Sequence, residues 1–228
     1  MKQLIRNHHI SSKLSYTLGL IFLAIGVAFM AKAHLGVSML VAPAHAIHTF
    51  IEHTLEMHYI TLGMVEFGVQ VVLLAIMCLA LRRFKISYLW AFITTLIYGV
   101  ILDVIMVGVT LIPTDHIAIK ILLFVLGGLA MSLGVALLFR THIAPEIYEL
   151  IIIELSEKFH LDIHKFKTWF DCACCLLAII LEFSFFGLWH FDAVKIGTIL
   201  FALVNGSLIS FFGNFLDKHF TFERKLHH

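Results

Sequence analysis

Six uninterrupted apolar runs, at roughly Leu14–Ala33, Tyr59–Leu81, Ile86–Ile112, Ile117–Phe139, Phe166–Trp189 and Ala193–Leu216, govern what this chain can become. Each holds about 20 residues or more, the length a helix rising about 1.5 Å per residue needs to cross about 30 Å of hydrocarbon. With 61% hydrophobic and 14% charged residues, the chain has too little polar surface for a soluble domain. It reads as an all-α polytopic membrane protein with six transmembrane helices, one membrane domain over residues 1–228. The basic N-terminus and the Ala31-Lys32-Ala33 pattern imitate a cleavable signal, but the apolar run is too long for one. Retention of the first helix is expected.

Two of the runs copy each other. Leu18–His34 overlays Leu126–His142 at a spacing of 108 residues, with identities at Leu18/Leu126, Gly19/Gly127, Gly26/Gly134, Val27/Val135, Ala28/Ala136 and His34/His142, and with Lys32 against Arg140. The third and sixth runs align more weakly at a spacing of 107, pairing Leu96 with Leu203 and Gly99 with Gly206. A duplicated unit of three spans enters the membrane from opposite sides in its two copies, so the chain is expected to hold two inverted repeats, about 14–112 and 117–216.

Charge sets the orientation. Placing both termini inside puts 13 of the 16 Lys and Arg on the inner side, among them Arg82, Arg83, Lys85, Lys165 and Lys167, and leaves Lys32, Lys120 and Lys195 outside. That asymmetry satisfies the positive-inside rule and implies a bacterial inner membrane with short cytoplasmic termini. A net charge of +1 without a basic stripe gives no case for nucleic acid. The four cysteines have neither zinc-knuckle nor disulfide spacing, and no cofactor is indicated.

After the first span of each copy comes a segment too short and too polar to span. Gly36-Val37-Ser38 offers a break and an N-cap, and Ala144-Pro145-Glu146 offers a proline in a first helical turn with an acid facing the helix dipole. Each segment is either an amphipathic helix on the interface or a re-entrant half-helix pointing into the protein.

Ionisable groups within spans are costly and therefore candidates for function: Glu66, Asp103, Asp171 and Glu182. Glu66, Asp103 and Glu182 would lie about 10–14 Å below the outer edge, while Asp171 lies near the inner end as the counterpart of Glu66. Gln70 sits one turn from Glu66. Thr95, Gly99 and Asp103 share one face of the third span, the sixth carries Asn205 and a stripe of Gly206, Ser210 and Asn214, and these could line a polar cavity. Lys32 and Arg140 close helix ends, where dipole and snorkelling explain them. His45, His48 and Glu52 fall on one helical face in metal-ligand fashion, a pattern that solvated side chains also produce.

The run Ala33-His34-Leu35-Gly36-Val37-Ser38 after a Gly-Val helix, its second copy with Pro145, and Ile196-Gly197-Thr198 opening the last span resemble the YczE/YyaS/YitT-like family of small bacterial integral membrane proteins. Asp171 stands where that family's acid is expected. Met39 replaces its usual proline, and Glu146 follows Pro145 where the family has Asp one position later. The resemblance implies a fold more than a reaction.

The chain lacks H-E-x-x-H, G-x-S-x-G and a phosphate loop, so no enzyme is expected. The leading expectation is a secondary transporter or exporter working by alternating access around a site between the repeats, with Glu66, Asp103 and Glu182 binding a proton or a cationic substrate, its partners being lipid and a small solute that protons could couple, with a homodimer admitted. The rivals are a non-transporting factor that stabilises a partner and a metal-handling protein. The charge asymmetry predicts that cysteines introduced near Thr114 react with an impermeant maleimide from the periplasm while those near Phe84 stay silent. The reverse pattern would overturn the orientation.

Overall fold

The computed structural model describes residues 8–141, 143–187 and 194–222. His142, the expected end of the fifth span at Trp189 and the start of the sixth at Ala193 lie outside the described residues. Eight helices are present among those described: α1 (Ser12–Ala33), α2 (Ala42–Thr54), α3 (Leu62–Leu81), α4 (Ser87–Thr110), α5 (Ile117–Leu138), α6 (Ile147–Phe159), α7 (Ile163–Phe186) and α8 (Ile196–His219). Six of them, all but α2 and α6, are long and apolar enough to cross a bilayer, so the chain is a multi-pass membrane protein.

Helix ends follow local chemistry. Ser11 and Thr61 accept the backbone N–H of Leu14 and Met64 at the starts of α1 and α3. His34, Arg82 and His160 end α1, α3 and α6 in the left-handed region, where their backbone N–H groups return to the last turn. Pro43 occupies the first turn of α2, whereas Pro145 precedes the cap of α6 instead of lying in its first turn.

The centre of the bundle is the α1–α5 pair. A Cβ on Gly26 would stand 2.6 Å from the Met131 nitrogen and 2.7 Å from the Gly127 carbonyl oxygen; one on Gly134 would stand 2.6 Å from the Leu23 nitrogen and 2.7 Å from the Gly19 carbonyl. Backbone meets backbone here, as small residues allow in lipid. Gly19 opposes Gly134 and Gly26 opposes Gly127, so the two helices run antiparallel. The remaining helices pack in matching fashion: α4 on α1 and α8 on α5, α2 on α7 and α6 on α3.

The two short helices are not surface-lying. Every residue from Gly36 to Ala44 and from Glu146 to Ile152 is buried, while His53, Thr54 and Glu157 to His160 are exposed. A helix lying on an interface keeps one face wet along its length. These two instead enter the protein N-terminus first. Each entry is fixed by the opposite half: Gly197 N–H donates to Leu35 O at 3.1 Å, and Thr94 Oγ1 donates to Ala144 O at 3.0 Å. Gly36, at φ 120°, lies against the Thr198 hydroxyl, which brings the Gly36-Val37-Ser38 and Ile196-Gly197-Thr198 motifs together.

One departure from the all-α expectation is a pair of three-residue parallel strands, β1 (His8–Ile10) and β2 (Phe220–Phe222), which join the two ends of the described chain on one face of the bundle. Another concerns α8, whose Gly206, Ser210 and Asn214 stripe is exposed; the inward face carries Phe201, Asn205, Ile209 and Gly213, one residue earlier. A helix turns about 100° per residue, so that offset moves a stripe from cavity to outer surface.

Replacing Gly26 by Val is expected to destabilise the detergent-solubilised protein by about 1–3 kcal/mol, since the new atoms meet backbone that cannot swing aside. Gly206→Ala, with no atom within 4 Å of the new Cβ, should change it by less than about 0.5 kcal/mol. Equal effects in thermal unfolding would show that the seam is not close-packed.

Candidate functional site

The N-terminus of α6 ends among α3, α4 and α7, and its free backbone N–H groups need acceptors. The Ile147 N–H lies 3.2 Å from both Gln70 Oε1 and Thr95 Oγ1, and the Thr95 hydroxyl donates to Gln70 Oε1 at 3.1 Å. The Gln70 amide in turn donates to Glu146 Oε2 at 3.4 Å. Gln70 and Thr95, both expected to line a cavity, are fully buried and hold α6 in place.

Around this junction lie charges that the anchor does not neutralise. Glu66 is 1% exposed, Glu149 0%, and Glu146 and Asp171 are buried as well. The one cation among them is Lys167, 7% exposed, whose Nζ stands 3.6 Å from Glu149 Oε1 and 3.8 Å from Asp171 Oδ1. Both distances are ion pairs without hydrogen-bond geometry. Both oxygens of Glu66, both of Glu149, the Tyr148 hydroxyl and Lys167 Nζ are buried without a hydrogen-bond partner. Gln70 and Tyr148 face the Glu66 carboxyl but do not bond it.

Four carboxylates face one ammonium at this buried junction, where an uncompensated ion costs several kcal/mol. At the mouth of α6, burial pushes the Glu146 carboxyl well above its ordinary 4.5, Glu149 and Glu66 push it further, and the Gln70 hydrogen bond and Lys167 oppose them. An arrangement of this composition favours a positive charge, which is the chemistry it can offer.

The other sequence-derived candidates lie elsewhere. Asp103 is partly exposed and bonds the Thr61 hydroxyl at 2.6 Å and the Gly63 N–H at 2.9 Å, closing the start of α3 against α4. Glu182 accepts the Val194 N–H at 3.3 Å near the entry to α8. Asn205 accepts from Ser132 at 3.1 Å between α5 and α8. Lys32 donates to Thr110 O at the end of α4, and Arg140 grips Asp217 near the end of α8 through two bonds of 2.8 and 2.7 Å. These are fastenings of the first to the third span in each half. His48 pairs with Glu52 at 3.8 Å, while His45 faces Thr49; no group of three metal-ligating side chains forms among the described residues.

Sequence reasoning placed Lys167 with the inner-loop cations and passed over Tyr148 and Glu149. Lys167 lies inside α7, and its partners Glu149 and Asp171 explain why an ammonium tolerates that place. The signal was present in the i, i+4 spacing of Lys167 and Asp171. Arg83 and Lys85 are likewise more than topological markers, since both pair with Glu154 of α6, at 3.3 and 2.7 Å.

Residues 10–214 match a family described as a family of unknown function (DUF6198), and the chain belongs to it. It is also 25% identical, over 135 residues, to an uncharacterized protein of Haemophilus influenzae. That similarity covers 55% of this chain and 58% of the relative, so the chain spans well under two thirds of that protein. No solved structure matches.

The raised Glu146 carboxyl has a definite consequence for stability. Below the ordinary 4.5 the group is protonated folded or unfolded; above it only the unfolded chain ionises freely, so stability falls as pH rises toward the folded-state value. Glu146→Gln keeps an acceptor for Gln70 and removes this loss. The variant should gain on the parent in thermal midpoint as pH goes from 4 to 8, a range set at about the ordinary carboxylate value and above it. Parallel curves would show that Glu146 does not titrate there.

Proposed function

We propose that this DUF6198 protein is a secondary transporter or exporter, and not an enzyme, whose two halves are inverted repeats that alternate access to the buried carboxylate cluster. The observation that carries the reading is where the cluster sits: α3 and α4 of the first half meet α6 and α7 of the second, and both halves contribute acids. Rocking one half against the other would open such a site first to one face and then to the other. The antiparallel α1–α5 seam and the paired packing of the other helices support the inversion.

In this reading Glu66 and Asp171 are the coupling carboxylates, Gln70 and Thr95 position α6, and Asp103, Glu182 and Asn205 secure helix contacts. The protein resides in a bacterial inner membrane with both termini in the cytoplasm, as the cation asymmetry favours.

Cys174 offers a test that needs no substrate. It is buried, packs with Leu40 and Tyr148 beside the cluster, and its thiol is free. With Cys78, Cys172 and Cys175 replaced by Ser, an alternating protein should expose Cys174 slowly to an impermeant maleimide from each face of the membrane. Glu66→Gln should shift the ratio of the two rates. Labelling from neither face is the outcome of a sealed partner-stabilising factor and would overturn the transporter.

A further inference from the structure

Resting on the reading above, the cluster's ligand can be named by class. Its groups make specific demands. Glu66 presents two buried oxygens and Tyr148 a buried hydroxyl, none hydrogen-bonded, and Glu149 adds two further acceptors. Acceptors outnumber donors, and the formal charge is negative.

A bare metal ion does not suit this set, because no three ligating side chains converge on one point among the described residues. A single proton neutralises one carboxyl but reaches one acceptor. A primary ammonium carries one positive charge and three N–H donors on one nitrogen, so it can answer a carboxylate and a neighbouring hydroxyl together without the ring of charged ligands a metal needs. The chain already holds this group among the same acids, since Lys167 places its own ammonium between Glu149 and Asp171. Leu40 and Cys174 pack against Tyr148 and give a short alkyl tail an apolar wall.

We infer that the Glu66–Tyr148–Glu149 cluster is a binding site for a small organic cation bearing a primary ammonium, which competes with the Lys167 side chain for Glu149. Binding draws Lys167 away from Glu149 or shares that acid with it. The positive charge is supplied by the ligand and no bond is made or broken.

The test uses the purified full-length protein in detergent and follows its thermal midpoint against ethylammonium chloride, with sodium chloride and tetramethylammonium chloride at equal ionic strength. Ethylammonium should raise the midpoint saturably and the other two should not, since sodium brings no N–H donors and tetramethylammonium has lost them. Glu66→Gln should weaken the response by on the order of tenfold or more, and Glu52→Gln on the surface should leave it unchanged. Lys167→Met should strengthen it by removing the resident competitor; if that variant does not fold, the parent and Glu66→Gln decide. Equal shifts with all three salts, no shift, or a response indifferent to Glu66 would each overturn the inference. Ethylammonium binding without two-sided exposure of Cys174 would keep the site and remove the transporter, and two-sided exposure without ethylammonium binding would do the reverse.

Discussion

The contact of α1 with α5 is the constraint on which the other helices depend. In hydrocarbon there is no gain from merely collecting apolar side chains, since the lipid is as apolar as they are, so association needs close packing and polar contacts. Four glycines supply the closeness by removing the side chains at the crossing, and more than half of each of these two spans is buried, against a third or less for the others. Once α1 and α5 are fixed, Lys32 and Arg140 tie each to the end of its own third span. The short helices then have only one place to enter.

That entry is what makes the acid cluster tolerable. A helix N-terminus buried in a membrane protein exposes unpaired N–H groups to a medium with no water to satisfy them. Gln70 and Thr95 meet this need at α6. Lys167 answers part of the charge that Glu149 and Asp171 bring. Farther along α6, Lys85, Arg83 and Tyr88 gather on Glu154, so the helix is held by satisfied polar groups at its cap and beyond its middle, with Tyr148 and Glu149 left unbonded between them.

Much of this was readable in the sequence and some was not, for physical reasons. Length and apolarity locate the six spans because the bilayer sets both. The glycine seam is visible as the repeated Gly19/Gly127 and Gly26/Gly134 spacing. Glu66 and Asp171 stand out because acids are expensive within a span, Gln70 because it lies one turn from Glu66, and Thr95 because it shares a helical face with Gly99 and Asp103. Glu149 and Tyr148 escaped because α6 is too short to span and its residues look like those of a wet interface helix; only its burial on every side distinguishes them. Asp103 and Glu182 share the cost argument with Glu66, but that argument cannot tell an acid that closes a helix end from one left without a partner. The stripe at Gly206 failed by a single residue, which on a helix is a change of face.

The small strand pair at the chain ends carries a consequence of a different kind. Because His8–Ile10 lies beside Phe220–Phe222, the first and last described segments meet: between them the backbone leaves one face of the bundle, visits every helix and comes back to the same face. The order in which the two halves occur along the chain is then a matter of where that circuit is cut. Joining β2 to β1 through a linker and opening the link between α4 and α5 would give a circular permutant with the second half first and its new termini on the opposite face. The helix contacts would be those of the parent, reached from a chain that begins on the other side of the membrane.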